Sequence, residues 1–223
     1  MAIGILEIVN DALATLGEQP IVNLSNTNAT STAILVNQKL PLVQRSILME
    51  ADWNCARRTV RLTTLDVPPT SGYKYTFQLP KDPECLHVQQ ISLDGGTTYI
   101  DLNNYYNRNA GPKRALFDID GDHLLANMPV VWVKYTALID PSKFDPFLAS
   151  AFSAQLAAEL AYAIPASVSL GQHLEQMAKK KLYKAISRNA LERNICRPEG
   201  EVIGVRGFGE RYVRVDMSDQ AGS

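Results

Sequence analysis

The sequence predicts an α+β fold: an antiparallel helical bundle with an inserted antiparallel β subdomain and an extended C-terminal arm. Apolar residues recur with helical spacing in the first 50 residues and again after residue 145. Between these stretches the spacing changes to the alternation of β-strands, interrupted by turn signals. We therefore expect a discontinuous helical domain (1–55 and 138–197), a β subdomain (56–137) and an arm (198–223).

Two helices joined by a polar loop are predicted at the N-terminal end. Apolar residues at helical spacing run over 5–16 and stop at Gly17. The Asn, Ser and Thr residues of 23–32 supply several N-caps for a second helix, which we expect to end near 50–53. Pro41 lies inside this helix and is expected to kink it, because proline removes one backbone hydrogen bond.

Short strands are predicted in the central region. The candidate strands cover residues 56–65, 73–79, 85–93, 115–127 and 130–136. Within 115–127, the pair Asp120-Gly121 is typical of a type I′ turn and predicts a hairpin. The segment 130–136 is rich in β-branched and aromatic residues and is the clearest strand of the region.

Two further helices are predicted after the strands. Asp145 is a candidate N-cap, and Pro146 then occupies the first helical position. We expect this helix to run to Ile164. This helix is apolar on nearly all sides, but its alanines and Glu159 disfavour a membrane span. We expect protein to cover it, with neighbouring subunits contributing.

The last helix is predicted to start at Ser167 or Ser169 and to run to about residue 194. It carries a dense group of cations opposed only by Glu175 and Glu192. The cations proposed as a surface are Lys179, Lys180, Lys181, Lys184 and Arg188. Two interpretations stay open: a solvated helix face with cations favourably near its C-terminus, or a surface that binds a polyanion or an acidic partner.

Composition excludes several classes of protein. The 223 residues include 22 basic and 23 acidic side chains, 46% are hydrophobic, and the net charge is −1. These values exclude intrinsic disorder and collagen-like repeats, and they argue against nucleic-acid wrapping by bulk charge. The three scattered cysteines form no closed disulfide framework. The N-terminus lacks the features of a signal peptide, so we expect a reducing compartment or a protein that never meets a secretion system.

No motif in the sequence predicts catalysis, a cofactor or a metal site. Neither a phosphate-binding loop nor a nucleophile elbow occurs, and neither zinc-ligand spacing nor a dinucleotide fingerprint is present. Asp118, Asp120 and Asp122 suggest a calcium loop, but Gly121 comes two positions early and Pro129 occupies the place of the bidentate glutamate. We therefore expect a protein that is not an enzyme.

The order of the segments nevertheless resembles a known family. A helix ending LATLGEQPI is followed by ADWNCARRTVRL and YTFQLPKDPECLHVQQI, and then by VVWVKYTALIDPSKFDPFLASAFSAQLAAELA. This order is similar to that of the tail tubular protein A family of short-tailed bacteriophages (podoviruses). Members of that family are head-tail connectors, the adaptor or gatekeeper proteins between portal and tail nozzle. The resemblance covers about residues 3–195.

The resemblance implies a structural virion protein of the tail or neck, assembled in the host cytoplasm. It implies a twelve-fold ring that contacts the portal protein, a nozzle of the tail tubular protein B kind and tail fibres. It also implies contact with double-stranded DNA in transit, without sequence specificity. No membrane partner is implied. By analogy, the arm is expected to dock on the portal and to become ordered there. Its apolar anchors are Val205, Phe208, Tyr212 and Val213.

Two alternatives remain at the level of sequence. One is a tail-associated peptidoglycan hydrolase, which would need a buried general acid such as Glu159 with a raised pKa. The other is a non-specific DNA-binding module that uses the lysine-rich last helix.

Overall fold

The computed structural model describes residues 4–24, 30–66, 69, 72–102, 117–164 and 167–192. The chain divides into two compact units, Met1–Arg193 and Asn194–Ser223, and every described residue belongs to the first. The fold of the described part is α+β, as predicted, with four helices and two antiparallel sheets.

The helices lie at the two ends of the described part. They are α1 (Ile5–Leu16), α2 (Ser31–Met49), α3 (Pro146–Ala161) and α4 (Val168–Leu191), with a 3₁₀ turn at Pro141–Lys143. The strands lie between α2 and α3 in the sequence. They are β1 (Arg57–Arg61), β2 (Thr64–Leu65), β3 (Tyr75–Gln78), β4 (Cys85–Ser92), β5 (Ile100–Asp101), β6 (Phe117–Asp120), β7 (His123–Ala126) and β8 (Trp132–Ala137).

The predicted helix starts are confirmed by their caps. The Thr30 hydroxyl accepts the Ala33 N–H, Asp145 accepts the N–H groups of Phe147 and Leu148, and Ser167 accepts that of Leu170. These bonds satisfy N–H groups that have no partner inside the helix. At the other end, α3 and α4 each stop three residues before the predicted boundary.

The strands form two four-stranded sheets, with orders β1-β8-β4-β5 and β2-β3-β7-β6. The predicted single strand 56–65 is wrong in one respect, because its two halves join different sheets. β1 pairs with β8 and β2 pairs with β3, and the buried Leu62 lies at the break between them. The chain therefore passes from one sheet to the other at this buried residue.

The predicted hairpin is confirmed over β6 and β7, but its turn lies one residue later than expected. Asp120 pairs with His123, so Gly121 and Asp122 are the two turn residues. Gly121 has a φ of +60°, which a residue without a Cβ adopts at no steric cost. The glycine therefore takes the first central position of the turn. Residues 115 and 116 of the predicted strand lie outside the described residues.

Helix α3 is the centre of the helical part, and it packs against α1, α2 and α4. Eleven of its sixteen residues are buried within the single chain. The single chain therefore covers most of this helix, and a contribution from neighbouring subunits stays a prediction. Its alanines let the other helices approach closely enough to exclude water. No helix in the described part of the chain is both long and apolar enough to cross a bilayer.

Helix α4 is held at its C-terminal end by a hydrogen-bonded lock on the loop after α2. The Asn189 side chain accepts the Asn54 N–H at 2.8 Å and donates to the Asp52 carbonyl at 2.9 Å. The Asn54 side chain donates back to the Asn189 carbonyl at 3.0 Å. Asn189 is only 8% exposed, so water does not replace these partners easily.

We predict that Asn189→Ala lowers the free energy of unfolding by about 1–3 kcal/mol, because it removes two hydrogen bonds from part-buried backbone groups of the loop. Urea unfolding followed by circular dichroism measures the change. Ser187→Ala is the matched control on the same helix, since the exposed Ser187 hydroxyl bonds, among the described residues, only to the Tyr183 carbonyl of its own helix. Equal losses for the two variants would show that the lock contributes nothing.

An ion pair joins α2 to Glu84, the residue before β4. Both terminal guanidinium nitrogens of Arg45 bond to the Glu84 carboxylate, at 2.6 and 2.9 Å. The hydrogen bond from Arg45 holds the pKa of Glu84 below its ordinary value of 4.5. Since the unfolded chain binds this proton at the higher pH, the stabilisation is complete above 4.5 and is lost as pH falls through the folded pKa.

We predict that Glu84→Gln destabilises the protein at about pH 7 and that the difference from wild type shrinks towards about pH 3. Both side chains are half-exposed, so the effect is small. Urea titrations at the two pH values measure it. Glu50→Gln serves as control, because Glu50 is exposed and forms no ion pair with a described residue. A gap that stays constant with pH would contradict this role for Glu84.

Candidate functional site

Four of the predicted cations lie together on the outer side of α4. Lys180, Lys184 and Arg188 are exposed and follow each other at intervals of four residues, and Lys181 is half-buried beside them. At 3.6 residues per turn, the three exposed cations lie within about 80° of one another around the helix. We call Lys180, Lys181, Lys184 and Arg188 the cationic surface.

Lys179 does not belong to the cationic surface. It is exposed, but it lies about 100° around the helix from Lys180. Of the five cations that the sequence groups together, four therefore share one side of the helix and Lys179 lies on another. A run of lysines in sequence conceals this separation, because adjacent residues of a helix face different directions.

The acids nearest in sequence are bonded to other groups. Glu175 accepts a hydrogen bond from the Tyr162 hydroxyl at 2.7 Å, and this carboxylate raises the pKa of Tyr162. Glu192 accepts from the Asn54 amide at 3.5 Å. Within the described part of the chain, neither Lys179 nor the cationic surface forms an ion pair with any acid. The positive charge on α4 is therefore not neutralised by these neighbours.

An aromatic ring from α3 lies beneath two of the cations. Lys184 Nζ is 5.7 Å and the Arg188 guanidinium 5.5 Å from the centre of the Phe147 ring. Asp145 fixes the position of Phe147 by accepting its N–H at 2.9 Å. Phe147 is 39% exposed, so the ring forms part of the surface. The contact is not evident from the sequence, because Phe147 lies about forty residues before the two cations and meets them only when α3 packs against α4. The sequence predicted only that Phe147 lies in the first turn of α3, after Asp145 and Pro146.

Large apolar side chains are exposed beside the cations. Tyr183 is 69% exposed, Leu191 77% and Met177 40%, and all three lie on α4. A helix face that is merely solvated carries polar residues at such positions. Exposed aromatic and aliphatic groups among cations are more typical of a surface that contacts another macromolecule. This combination favours the partner-binding interpretation of the last helix.

No protein-family model matches the chain, and a search of curated proteins gave no match either. The candidate site is therefore defined by the contacts, exposure and charge of the chain itself. The predicted arm anchors Val205, Phe208, Tyr212 and Val213 lie outside the described residues.

The buried general acid that the hydrolase alternative needs is not found at Glu159. Its side chain is 42% exposed and pairs with Lys39 of α2, with Nζ and Oε2 3.1 Å apart. The expectation of a buried Glu159 is therefore wrong. The residue lies on the side of α3 that faces Lys39 of α2.

The three aspartates of the hairpin do not converge on one point. Asp118 accepts the N–H of Ile119, and Asp122 accepts from the Gln78 amide and pairs with Lys81 and His123. The hydrogen bond from Gln78 is the main cause that lowers the pKa of Asp122. Among the described residues, no group of three or more histidines, cysteines or acids is arranged to hold a metal ion.

The two described cysteines are poor nucleophiles. Burial raises the pKa of the Cys55 thiol and raises that of Cys85 to about 11. Both groups are therefore protonated thiols at neutral pH, whereas the thiolate is the reactive form. This leaves the cationic surface as the strongest candidate site.

Proposed function

We propose that this protein is a structural virion protein, a phage head-to-tail adaptor of the tail tubular protein A kind. It forms an oligomeric ring between portal and tail nozzle, seals the channel and passes DNA during ejection. The observation that carries the proposal is the order of the segments along the chain. Two helices, a block of antiparallel strands and two further helices follow each other in the order that the resemblance implies.

The segments that carry the resemblance correspond to successive elements of the described structure. LATLGEQPI spans the end of α1, and ADWNCARRTVRL leads from α2 into β1. VVWVKYTALIDPSKFDPFLASAFSAQLAAELA covers β8, the 3₁₀ turn and α3. We interpret the helices as a bundle around α3, the eight strands as an inserted β subdomain, and residues 198–223 as an arm that docks on the portal.

The surface of α4 is consistent with a subunit of a larger assembly. Its cations and exposed apolar groups provide a face that can contact a neighbouring copy, a portal or nozzle subunit, tail fibres or the DNA backbone. Burial of α3 does not itself require a ring, because the single chain covers that helix. Assembly is thus supported by the segment order and by the outer face of α4.

We predict that the purified protein binds the portal of the same virus as a twelve-fold ring around the channel. Cryo-electron microscopy of the mixture at saturating protein shows the stoichiometry directly. Portal alone and protein alone are the controls. A chain that remains monomeric and never binds the portal would contradict the adaptor function.

We further predict that deletion of residues 198–223 weakens portal docking by at least about tenfold while the fold persists, since the deleted residues belong wholly to the second unit of the chain. Binding to immobilised portal and far-ultraviolet circular dichroism measure the two effects. A variant with residues 198–223 in scrambled order controls for chain length. Loss of the helical signal in the deletion would refute the separate arm.

A further inference from the structure

A second charged surface lies on a different type of element, the edge strand β6. Asp118 and Asp120 are exposed there, and Ile119 between them is 37% exposed. We call these three residues the acidic edge. Among the described strands, β6 pairs only with β7, so it is the outermost of the four described strands of this sheet.

The carboxylates of the acidic edge have few partners within the described part of the chain. Asp118 accepts only the N–H of its neighbour Ile119, at 2.9 Å. Asp120 forms no ion pair with any described residue. Asp122 differs from both, because Lys81, His123 and Gln78 already hold it.

The spacings of the two surfaces match. Residues two apart on a strand are about 6.6–6.8 Å apart along its axis, which applies to Asp118 and Asp120. Residues four apart on a helix are about 6 Å apart, which applies to Lys184 and Arg188. Two successive carboxylates can therefore face two successive cations.

We propose that the cationic surface of one copy docks on the acidic edge of a second copy of this chain. The charges are complementary, the surfaces lie on different elements, and each lacks neutralising partners within the described chain. Because the two surfaces differ, the contact is heterologous, and repetition of it closes a ring when the rotation per subunit allows. The inference rests on the proposed function in that it names the contact between ring neighbours.

Charge reversal tests this contact. Lys184→Glu with Arg188→Glu, and separately Asp118→Lys with Asp120→Lys, should each weaken self-association by at least about tenfold, because like charges replace a close pair. The chain with all four substitutions should regain association with itself, since the charges are exchanged. Sedimentation velocity at low salt measures the free chain, and electron microscopy measures the chain bound to portal.

The single reversals Lys184→Glu and Asp120→Lys are measured as well, and matched controls make the same single change of charge away from the two surfaces. Lys179→Glu is the control for Lys184→Glu, because Lys179 is exposed on the same helix but lies off the cationic surface. Asp66→Lys is the control for Asp120→Lys, because Asp66 is also outside the acidic edge. Circular dichroism confirms that every variant is folded before association is compared.

Several outcomes overturn the proposal. These are absence of self-association with and without portal, an equal loss in the controls, or failure of the folded fourfold variant to reassociate. Loss of binding to a short DNA duplex with unchanged self-association would instead assign the cationic surface to nucleic acid. A ring on the portal that tolerates both reversals would refute this contact but not the adaptor function. Self-association that depends on both surfaces without portal binding would refute the adaptor function but not the contact.

Discussion

Burial of α3 is the constraint on which the rest of the described structure depends. Leu148 and Leu156 are fully buried on one side of the helix, and Ala154 is buried on the other, so no single neighbour can cover them. Helices α1, α2 and α4 must therefore all pack against α3. The one polar side chain buried on this helix, Ser153, donates to Asp11 of α1 at 2.5 Å, which satisfies its hydroxyl. The apolar character of α3 thus fixes the positions of three other helices at once.

The same packing determines the electrostatics of the outer surface. A Cβ at Gly171 would lie 2.6 Å from the Tyr162 ring, so a glycine there lets the end of α3 approach α4 closely. Tyr162 can then bond to Glu175, and the Asn189 lock brings Asn54 to Glu192. Both acids near the cations are thereby engaged by neutral donors. The unneutralised charge of α4 is a consequence of how the helices pack, as well as of composition.

Local features of the fold were predictable from sequence, and distant contacts were not. Thr30, Asp145 and Ser167 cap helices because each side chain bonds to a backbone group two or three residues away, so the signal is contained in a few letters. Coverage of α3 depends partly on α1, which lies more than a hundred residues earlier in the chain. The sequence pattern does not show this contact, so it suggested that neighbouring subunits help to cover α3. The break at Leu62 and the shift of the hairpin turn to Gly121 also depend on which sheet each strand joins. For the site, the sequence indicated the cations but not Phe147, since that contact joins two helices.

Net charge is a poor guide to the local charge of this protein's surface. The total of −1 results from cancellation between separate regions, since α4 carries five cations against Glu175 while β6 carries acids alone. At physiological salt, charges further apart than about 8 Å are largely screened, so the two regions do not neutralise each other at a distance. A binding partner therefore meets each surface separately. In the proposed contact between copies, each added copy would pair one cationic surface with one acidic edge, so an assembly would not accumulate charge.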